Sequence, residues 1–392
     1  MNRIYIFTGK GGVGKTSIAA AHAIKSAEQG HNTLLVSTDM AHNLGDLFEI
    51  SLGNEPKKIL DNLELYEIDP NFVMEHDFGD MMKCLTKMLP VSEGSTLEDF
   101  GMLPGMDELF ALLKISELYK EGQYERIVVD CAPTGETLSL LKFPELLSWY
   151  MEKLFPVGKV AVRILAPISK QFFKVELPNK AAMTDIETMY LKLFELQELF
   201  KNRETTSVRL VATPEKMVVE ETKRNYMYMN LYNFNVDGLY INRILPKEIK
   251  NDFFEEWVVI QKKYINQLTD SFSSIPIYKI PWYDEEVKGV KAVKRISNDV
   301  LISNTVFDAV VITQRECFQK NKDGYVLTLS IPYVKKEDMD LYQSETDVII
   351  KLGNFKRNIP LPNSLRNYEI HSAKFDQESL HLQFVKGELN HE

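Results

Sequence analysis

The sequence has few cysteines and no long apolar run. Its three cysteines, Cys84, Cys131 and Cys317, stand far apart and form no CxxC pair. This excludes the disulfide framework of small secreted domains and fits a reducing compartment. No run of about 18 apolar residues occurs, so no integral membrane segment is predicted. Because a strand is predicted to begin at residue 3, no signal peptide is expected, and we predict a cytoplasmic protein.

An excess of positive charge is also missing. The 46 Lys and Arg residues are outnumbered by 56 Asp and Glu residues, which gives a formal net charge of −10. Nucleic acid is therefore disfavoured as a partner, as is loose electrostatic attachment to anionic lipid. The 392 residues are enough for two or three domains with a large core.

The sequence does contain a glycine-rich loop near its start. The stretch "GKGGVGKT" at residues 9–16 matches G-x-x-x-x-G-K-[ST], the pattern of a phosphate-binding loop. A β-branched and aromatic run precedes it and an alanine-rich helical stretch follows it, which is the context that this motif requires. A chance match in an ordinary glycine turn is the alternative. We predict nucleotide binding by the loop and the first helical turn, that is by Gly9, Lys10, Gly11, Gly12, Val13, Gly14, Lys15, Thr16 and Ser17.

Two residues of this motif have distinct predicted roles. Lys15 is the lysine that meets the β- and γ-phosphates, and the Thr16 hydroxyl is a candidate ligand for Mg²⁺. Lys10 is a second lysine that the phosphate-loop pattern does not require.

Apolar runs separated by helical stretches predict an α/β fold. A P-loop NTPase with a mostly parallel, doubly wound sheet is expected, because such buried strands read as continuous apolar segments. The predicted strands are residues 3–7, 32–38, 63–68, 126–130, 208–212 and 238–245. In such sheets the ligand binds at the carboxyl ends of the strands.

Two aspartates follow predicted strands at that edge. Asp130 suits an outer-sphere hold on Mg²⁺, and Asp39 suits the metal site and the orientation of the attacking water. Either one alone could instead cap the next helix or turn.

Three segments in order, "GKGGVGKT", "STDMAHNLGDLF" and "DCAPTGETLSLL", resemble the ArsA family, the ATPases of arsenite pumps and of tail-anchored-protein targeting. The resemblance covers residues 1–312 and implies an ATP- and Mg²⁺-dependent homodimer. In the wider class, which includes MinD and the nitrogenase iron protein, the extra lysine reaches the partner subunit's active site. The resemblance assigns this catalytic role to Lys10, which would act like an arginine finger. The alternative is a merely exposed loop lysine.

The family also uses a glutamate and an asparagine after its later strands to bind nucleotide. Glu215 in "TPEKMVVEET" and Asn242 in "YINRILP" match these motifs, and Asn242 could pair with an adenine edge. A helix-capping Glu215 and a turn asparagine are the alternatives.

The chain departs from the family pattern in three ways. It lacks the CxxC pair that holds zinc between subunits in eukaryotic targeting ATPases. In the second switch of the family, which corresponds here to the segment "DCAPTGETLSLL", Glu136 stands where histidine is common. Of its cysteines, Cys131 alone lies near a switch, so the resemblance gives arsenite little support as the substrate.

The alternation of strands and helices is interrupted by two stretches, at about residues 70–125 and 143–205. These stretches predict a helical subdomain. The second contains a possible capping box, Thr184 with Glu187. Nine of the fifteen methionines fall in residues 74–189, and methionine suits adaptable apolar grooves. An ordinary Met-rich helical core is the alternative. Relatives bind transmembrane segments on helices inserted at this place, which favours the groove.

After about residue 313 the pattern changes to alternating strands. Residues 320–386 resemble the α-crystallin domain of small heat-shock proteins, through "GNFKRNIPLP" and "AKFDQESLHLQF". We predict a small all-β sandwich over residues 313–392, after an ATPase domain over residues 1–312. This domain could be a module that contacts clients or docks on its own chain, or it could be a structural cap for the ATPase domain.

The predicted function is that of a Mg²⁺-dependent ATPase whose homodimer opens and closes with the nucleotide cycle to capture hydrophobic protein segments, such as those of tail-anchored membrane proteins. Its expected partners are a second copy, hydrophobic clients and a membrane receptor or pump. An ATPase subunit that drives an arsenite or antimonite pump is the alternative.

Overall fold

The computed structural model describes most of the chain, namely residues 2–39, 43–79, 106–131, 185–246, 252–308, 310, 316–322, 324–344, 347–353, 355–365, 368–376 and 378–386. The chain divides into two compact units. The first lies within Met1–Leu140, Lys192–Tyr226 and Phe234–Val311, and the second lies within Leu141–Leu191, Met227–Asn233 and Ile312–Glu392.

The first unit is built on one large sheet. Its strands are β1 (Arg3–Thr8), β2 (Thr33–Ser37), β3 (Lys57–Leu60), β4 (Leu63–Glu67), β5 (Arg126–Asp130), β6 (Thr206–Ala212), β7 (Val236–Ile244) and β8 (Ile277–Pro281). The α-helices of the described residues are α1 (Lys15–Glu28), α2 (Asn43–Phe48), α3 (Pro70–His76), α4 (Met106–Glu121), α5 (Asp185–Lys201), α6 (Lys216–Leu231), α7 (Asp252–Ser271) and α8 (Gly289–Val300).

The sheet has the strand order β3-β4-β2-β5-β1-β6-β7-β8, and its pairs are parallel except for β3 with β4. Strands β2 and β6 are buried at every residue, as expected for strands covered on both faces. This confirms the predicted mostly parallel α/β fold. Strands β3 and β8, the two edge strands, are additions to the six that the sequence predicted.

Several helix ends are fixed by local chemistry. The Asp69 carboxylate accepts hydrogen bonds from the backbone N–H groups of Asn71 and Phe72, at 2.9 and 3.2 Å, and Pro70 follows at the first helical position of α3. Helix α4 ends just before Gly122, whose φ of 73° suits glycine. Helix α5 lies within the second predicted helical stretch, and Thr184 of the proposed capping box lies outside the described residues.

The second unit contains two antiparallel sheets. Their strands are β9 (Glu316–Asn321), β10 (Gly324–Ser330), β11 (Met339–Gln343), β12 (Asp347–Leu352), β13 (Phe355–Pro360), β14 (Tyr368–Asp376) and β15 (Ser379–Lys386). One sheet has the order β14-β15-β10-β9 and the other β11-β12-β13. Alternate residues are buried along β10, β12 and β15, including Leu327, Leu329, Val348, Ile350, Leu380 and Leu382. The predicted all-β sandwich is confirmed.

The last turn of α6 also belongs to the second unit and contacts β13. The Arg357 guanidinium donates to the Leu231 carbonyl and to the Glu316 carboxylate. The Tyr232 hydroxyl donates to the Lys356 carbonyl at 3.0 Å. Arg357 thus places a cation at the carbonyl end of a helix, where the helix dipole favours it.

Among the helices of the described residues, none combines the length and the apolar composition that a bilayer crossing requires.

Candidate functional site

The carboxyl ends of β1, β2 and β5 lie side by side in the middle of the large sheet. Asp130, the last residue of β5, is level with Phe7 on one side and with Ser37 on the other. The backbone N–H of Thr38 donates to the Asp130 carbonyl at 3.0 Å, and that of Cys131 donates to the Phe7 carbonyl at 3.1 Å. The glycine-rich loop after β1 and the two predicted aspartates therefore leave the sheet at one edge.

The glycine-rich loop fits closely against its neighbours. At Gly9 a Cβ atom would lie 2.2 Å from the Val211 carbonyl oxygen of β6. Gly14, the residue before α1, has a φ of 93°, and a Cβ there would lie 2.3 Å from Nδ2 of Asn242. Both positions therefore require glycine, and the loop delivers its backbone directly to the start of helix α1, as an anion-binding loop does.

The two lysines of the loop have different surroundings. Lys15 is buried at the first position of α1. The Lys10 side chain is 36% exposed, and its ammonium lies 3.9 Å from a carboxylate oxygen of Glu221 on α6. One lysine is thus enclosed by its own chain, whereas the other lies at the surface.

Asp130 is a buried carboxylate with unusual surroundings. It is 1% exposed, and among the residues that the structure describes neither of its oxygens has a partner at ordinary hydrogen-bond geometry, although the Thr16 hydroxyl lies near it. Burial, together with the nearby charge of Asp39, raises the pKa of its carboxyl to about 7, against the opposing effects of the Thr16 hydroxyl and the Lys15 ammonium. Buried oxygens without partners are costly unless another group completes them.

These oxygens fit a magnesium site. Mg²⁺ prefers oxygen ligands and keeps several of its waters. Those waters can donate hydrogen bonds to a buried carboxylate. The Thr16 hydroxyl lies close enough to Asp130 to affect its pKa, so a hydroxyl and a carboxylate meet at the start of α1. The residues therefore suit an ion held by Thr16 directly and by Asp130 through water.

The half-buried Asp39 follows β2 by two residues, and its backbone N–H donates to the Ser37 hydroxyl at 3.1 Å. Its charge acts on Asp130. The structure therefore brings together the loop, Thr16, Asp39 and Asp130, as the strand pattern predicted, while their chemical roles stay predictions.

Glu215 and Asn242 lie at the ends of the next two strands. Glu215 stands exposed just before α6, and its carboxylate accepts a hydrogen bond from the Thr213 hydroxyl at 3.0 Å. Asn242 is buried and donates from Nδ2 to the Val13 carbonyl at 2.8 Å. Asn242 is therefore part of the loop's surroundings, and nucleotide binding by either residue stays a prediction.

The sequence analysis missed two residues beside the site, Glu221 and Gln261. Gln261 is a buried residue of α7 and lies on the same helix face as Leu268, seven residues later. A polar residue on an apolar stripe was the signal that could have revealed it. Glu221 offered no comparable signal in a charged helix. Glu136 and Met40–His42 of the switch segments lie outside the described residues.

Asp130→Asn is expected to stabilise the nucleotide-free, metal-free protein by about 1–3 kcal/mol at pH 8, as the difference between two effects. At pH 8 the ionised Asp130 carboxylate lowers the free energy of unfolding by up to about 4 kcal/mol, at about 1.4 kcal/mol per pKa unit. The buried asparagine amide of the variant, left without partners, still costs about 1–3 kcal/mol. Between its unfolded pKa of 3.8 and its folded pKa of about 7, the folded wild type binds more protons than the unfolded chain. The wild type therefore gains stability as pH falls, and the advantage of the variant shrinks by pH 5.

Denaturant unfolding at pH 8 and pH 5 measures this effect. Asp237→Asn is the matched control, because the Asp237 carboxylate is buried but paired with Arg209 at 3.3 Å, so the same change should destabilise. A destabilised Asp130→Asn at pH 8 would contradict the description of Asp130 as an unpaired, costly carboxylate.

Comparisons with known proteins agree with this architecture. A family model described as "Anion-transporting ATPase" matches residues 2–302. A second model, described as "HSP20-like domain found in ArsA", matches residues 322–384.

Similar proteins extend over most of the chain. A "Putative arsenical pump-driving ATPase" of Chlorobaculum tepidum is 36% identical over 391 residues, which cover 97% of this chain and 96% of the relative. "Putative arsenical pump-driving ATPase 1" of Aquifex aeolicus is 32% identical over 391 residues, 96% of this chain and 98% of its own. The "ATPase get3" of Pyrenophora tritici-repentis is 31% identical over 314 residues, 75% of this chain and 89% of its own.

Proposed function

Because the chain belongs to the ArsA family of anion-transporting ATPases, we propose a specific use for its ATP hydrolysis. The protein works as a homodimer that opens and closes with the nucleotide cycle. In the course of that cycle it captures and delivers hydrophobic protein segments, such as those of tail-anchored membrane proteins.

The surface position of Lys10 carries the dimer part of the proposal. The buried Lys15 already supplies the loop with its phosphate-binding cation, whereas among the described residues the Lys10 ammonium pairs with a partly exposed carboxylate at 3.9 Å. A surface ion pair of this kind contributes about 0–1 kcal/mol and exchanges easily. Lys10 is therefore available to the phosphates of a second copy when the two loops meet face to face.

The proposed site divides the work of hydrolysis among its residues. The loop amides and Lys15 bind and orient the phosphates, while Thr16 and Asp130 hold Mg²⁺. When bound, Mg²⁺ neutralises charge that develops on the phosphate oxygens. Asp39 orients the attacking water through its carboxylate. Lys10 of the second copy stabilises the charge of the transition state.

The methionine content supports the proposed client. Residues 74–189 hold nine of the fifteen methionines of the chain, and flexible thioether side chains adapt to many apolar surfaces. Met74, in α3, is buried, whereas most of this stretch lies outside the described residues.

An apolar helical segment of about 20 residues, fused to a soluble carrier, tests the capture. The full chain is expected to co-elute with this carrier when Mg²⁺ and a non-hydrolysable ATP analogue are present. The control carrier has the leucines of the segment replaced by serine and should elute alone. If both carriers co-elute with the chain, or if neither does, capture of hydrophobic segments is contradicted.

The second candidate function is to drive an arsenite or antimonite pump, which the names of the relatives from Chlorobaculum tepidum and Aquifex aeolicus favour. Metalloid binding needs several thiolates, and the sequence has three cysteines scattered over more than 200 positions. Arsenite is therefore expected to leave the hydrolysis rate nearly unchanged in the same preparation. A several-fold stimulation that disappears with Cys131→Ser would favour the pump.

A further inference from the structure

The chain that carries Asp39 leaves strand β2 and enters helix α2 a few residues later. Ser37 is the last residue of β2, and α2 spans Asn43–Phe48. The backbone N–H of Asp39 donates to the Ser37 hydroxyl at 3.1 Å. The position of Asp39 therefore depends on how the chain is held at β2 before it and at α2 after it.

Glu67, the last residue of β4, is tied to the β2 end through its backbone. It is level with Ser37 in the parallel pairing of β2 with β4. The backbone N–H of the next residue, Ile68, donates to the Ser37 carbonyl at 3.1 Å. The point where the chain leaves β2 towards Asp39 is therefore fixed by the sheet beside Glu67.

The Glu67 side chain holds the other end, at α2. Its Oε1 accepts hydrogen bonds from the backbone N–H groups of Leu44 and Gly45, at 2.8 and 3.0 Å. The N–H groups of a first helical turn have no partner within the helix, and the helix dipole favours a negative charge beside them. Because a helix of six residues is too short to be stable alone, this carboxylate helps to fix where α2 begins.

The rest of α2 is packed against the core. Leu44, Leu47 and Phe48 are buried. Just after the helix, the backbone N–H of Ile50 donates to the Gly45 carbonyl at 3.0 Å. Since the body of the helix is held by these contacts, the Glu67 carboxylate acts mainly on its first turn, which is the part next to Asp39 in the chain.

We propose that Glu67 is a positioning residue for Asp39. Its backbone lies beside the residue from which the Asp39 chain departs, and its side chain binds the helix that this chain enters, so one residue holds both ends. The inference rests on the proposed function, in which the Asp39 carboxylate orients the attacking water. Glu67 acts through Asp39 and makes no contact with the phosphates in this assignment.

Glu67→Ala is expected to slow single-turnover ATP hydrolysis by about ten- to a hundredfold, the scale for a catalytic group displaced by about 1 Å. The affinity for Mg²⁺ with a non-hydrolysable ATP analogue should stay within about twofold, because the phosphate loop is unchanged. Glu67→Gln should keep most of the rate, since its amide oxygen still accepts from the two N–H groups. Glu67→Asp keeps the charge but is one methylene shorter, so it should lose rate as the alanine variant does.

Asp69→Ala is the matched control. The Asp69 carboxylate, two residues after Glu67, caps α3 by accepting from the N–H groups of Asn71 and Phe72. The loss of either carboxylate should lower the melting temperature, whereas the loss of Glu67 alone should slow hydrolysis. An equal slowing by Asp69→Ala would make both effects general consequences of a lost helix cap and would overturn the inference.

A double variant shows whether Glu67 acts through Asp39. In the Asp39→Asn background, Glu67→Ala should slow hydrolysis by no more than about twofold further, because no carboxylate is left to position. Losses that multiply would overturn the inference, and so would wild-type rates in both Glu67→Ala and Glu67→Asp beside a slow Asp39→Asn. A wild-type rate in Asp39→Asn would instead contradict the proposed function, and the inference with it.

Discussion

Replacing Lys10 with alanine is expected to reduce ATP hydrolysis by roughly 10³–10⁵-fold, the range associated with a missing arginine finger, while ATP binding persists. Binding persists because Lys15 remains buried in the loop. Hydrolysis falls because no second cation reaches the γ-phosphate when two copies meet. Lys10→Arg should fail too, since a planar guanidinium does not replace a compact ammonium between glycines.

Mixing two inactive variants tests whether Lys10 acts on the second copy. In a dimer of a Lys10→Ala chain with an Asp39→Asn chain, one site has an intact Asp39 and receives Lys10 from the other chain. Activity should reappear at up to about half of the sites. Lys58→Ala mixed with Asp61→Asn is the matched control, since these exposed residues pair at 3.4 Å on the surface and should leave every rate unchanged. No rescue in proven heterodimers would make Lys10 a contact within its own chain.

Asp39→Asn is expected to keep ATP bound and to hydrolyse it at least about a hundredfold more slowly, a usual scale for the loss of a positioned catalytic group. Asparagine has nearly the same shape, so the loop and the fold should be retained, whereas the charge that orients water is lost. Single-turnover measurements with labelled ATP separate slow hydrolysis from slow product release. Asp61→Asn, at a fully exposed position, is the control.

This variant should also accumulate the ATP-bound dimer together with any captured client. Recovery of membrane proteins with a terminal hydrophobic segment would support targeting, and recovery of a pump subunit would support transport. Near-normal turnover would contradict the role of Asp39 and shift the orientation of water to another group, with Asp130 the first candidate.

The sequence predicted the central part of the fold well because its signals are local. A glycine loop between a strand and a helix, and aspartates at the ends of fully apolar strands, need no knowledge of distant contacts. The edge strands β3 and β8 were not predicted, because they are short and mostly not buried. They therefore lack the continuous apolar run that marks the interior strands.

The surroundings of the phosphate loop could not be predicted in the same way. Asn242 and Val13 are 229 positions apart, and Gln261 contacts the backbone of Arg243 and Leu245, just after Asn242 in the chain. Such contacts depend on how α7 and β7 pack, which no local pattern encodes. The raised pKa of Asp130 likewise follows mainly from its burial in the folded chain, although the sequence correctly placed this residue at the end of β5.

The contact between β13 and the last turn of α6 bears on how the chain can be shortened. Tyr232 is fully buried, and the Phe355 ring lies 3.5 Å from the Tyr228 ring, measured between ring centroids. Deleting residues 312–392 would take the Phe355 ring from Tyr228, the Lys356 carbonyl from the Tyr232 hydroxyl and the Arg357 cation from the Leu231 carbonyl. The shortened chain would expose more aromatic surface at the end of α6 and would lose a cation that stabilises this helix end. We therefore expect it to aggregate unless Tyr228 and Tyr232 are replaced by polar residues.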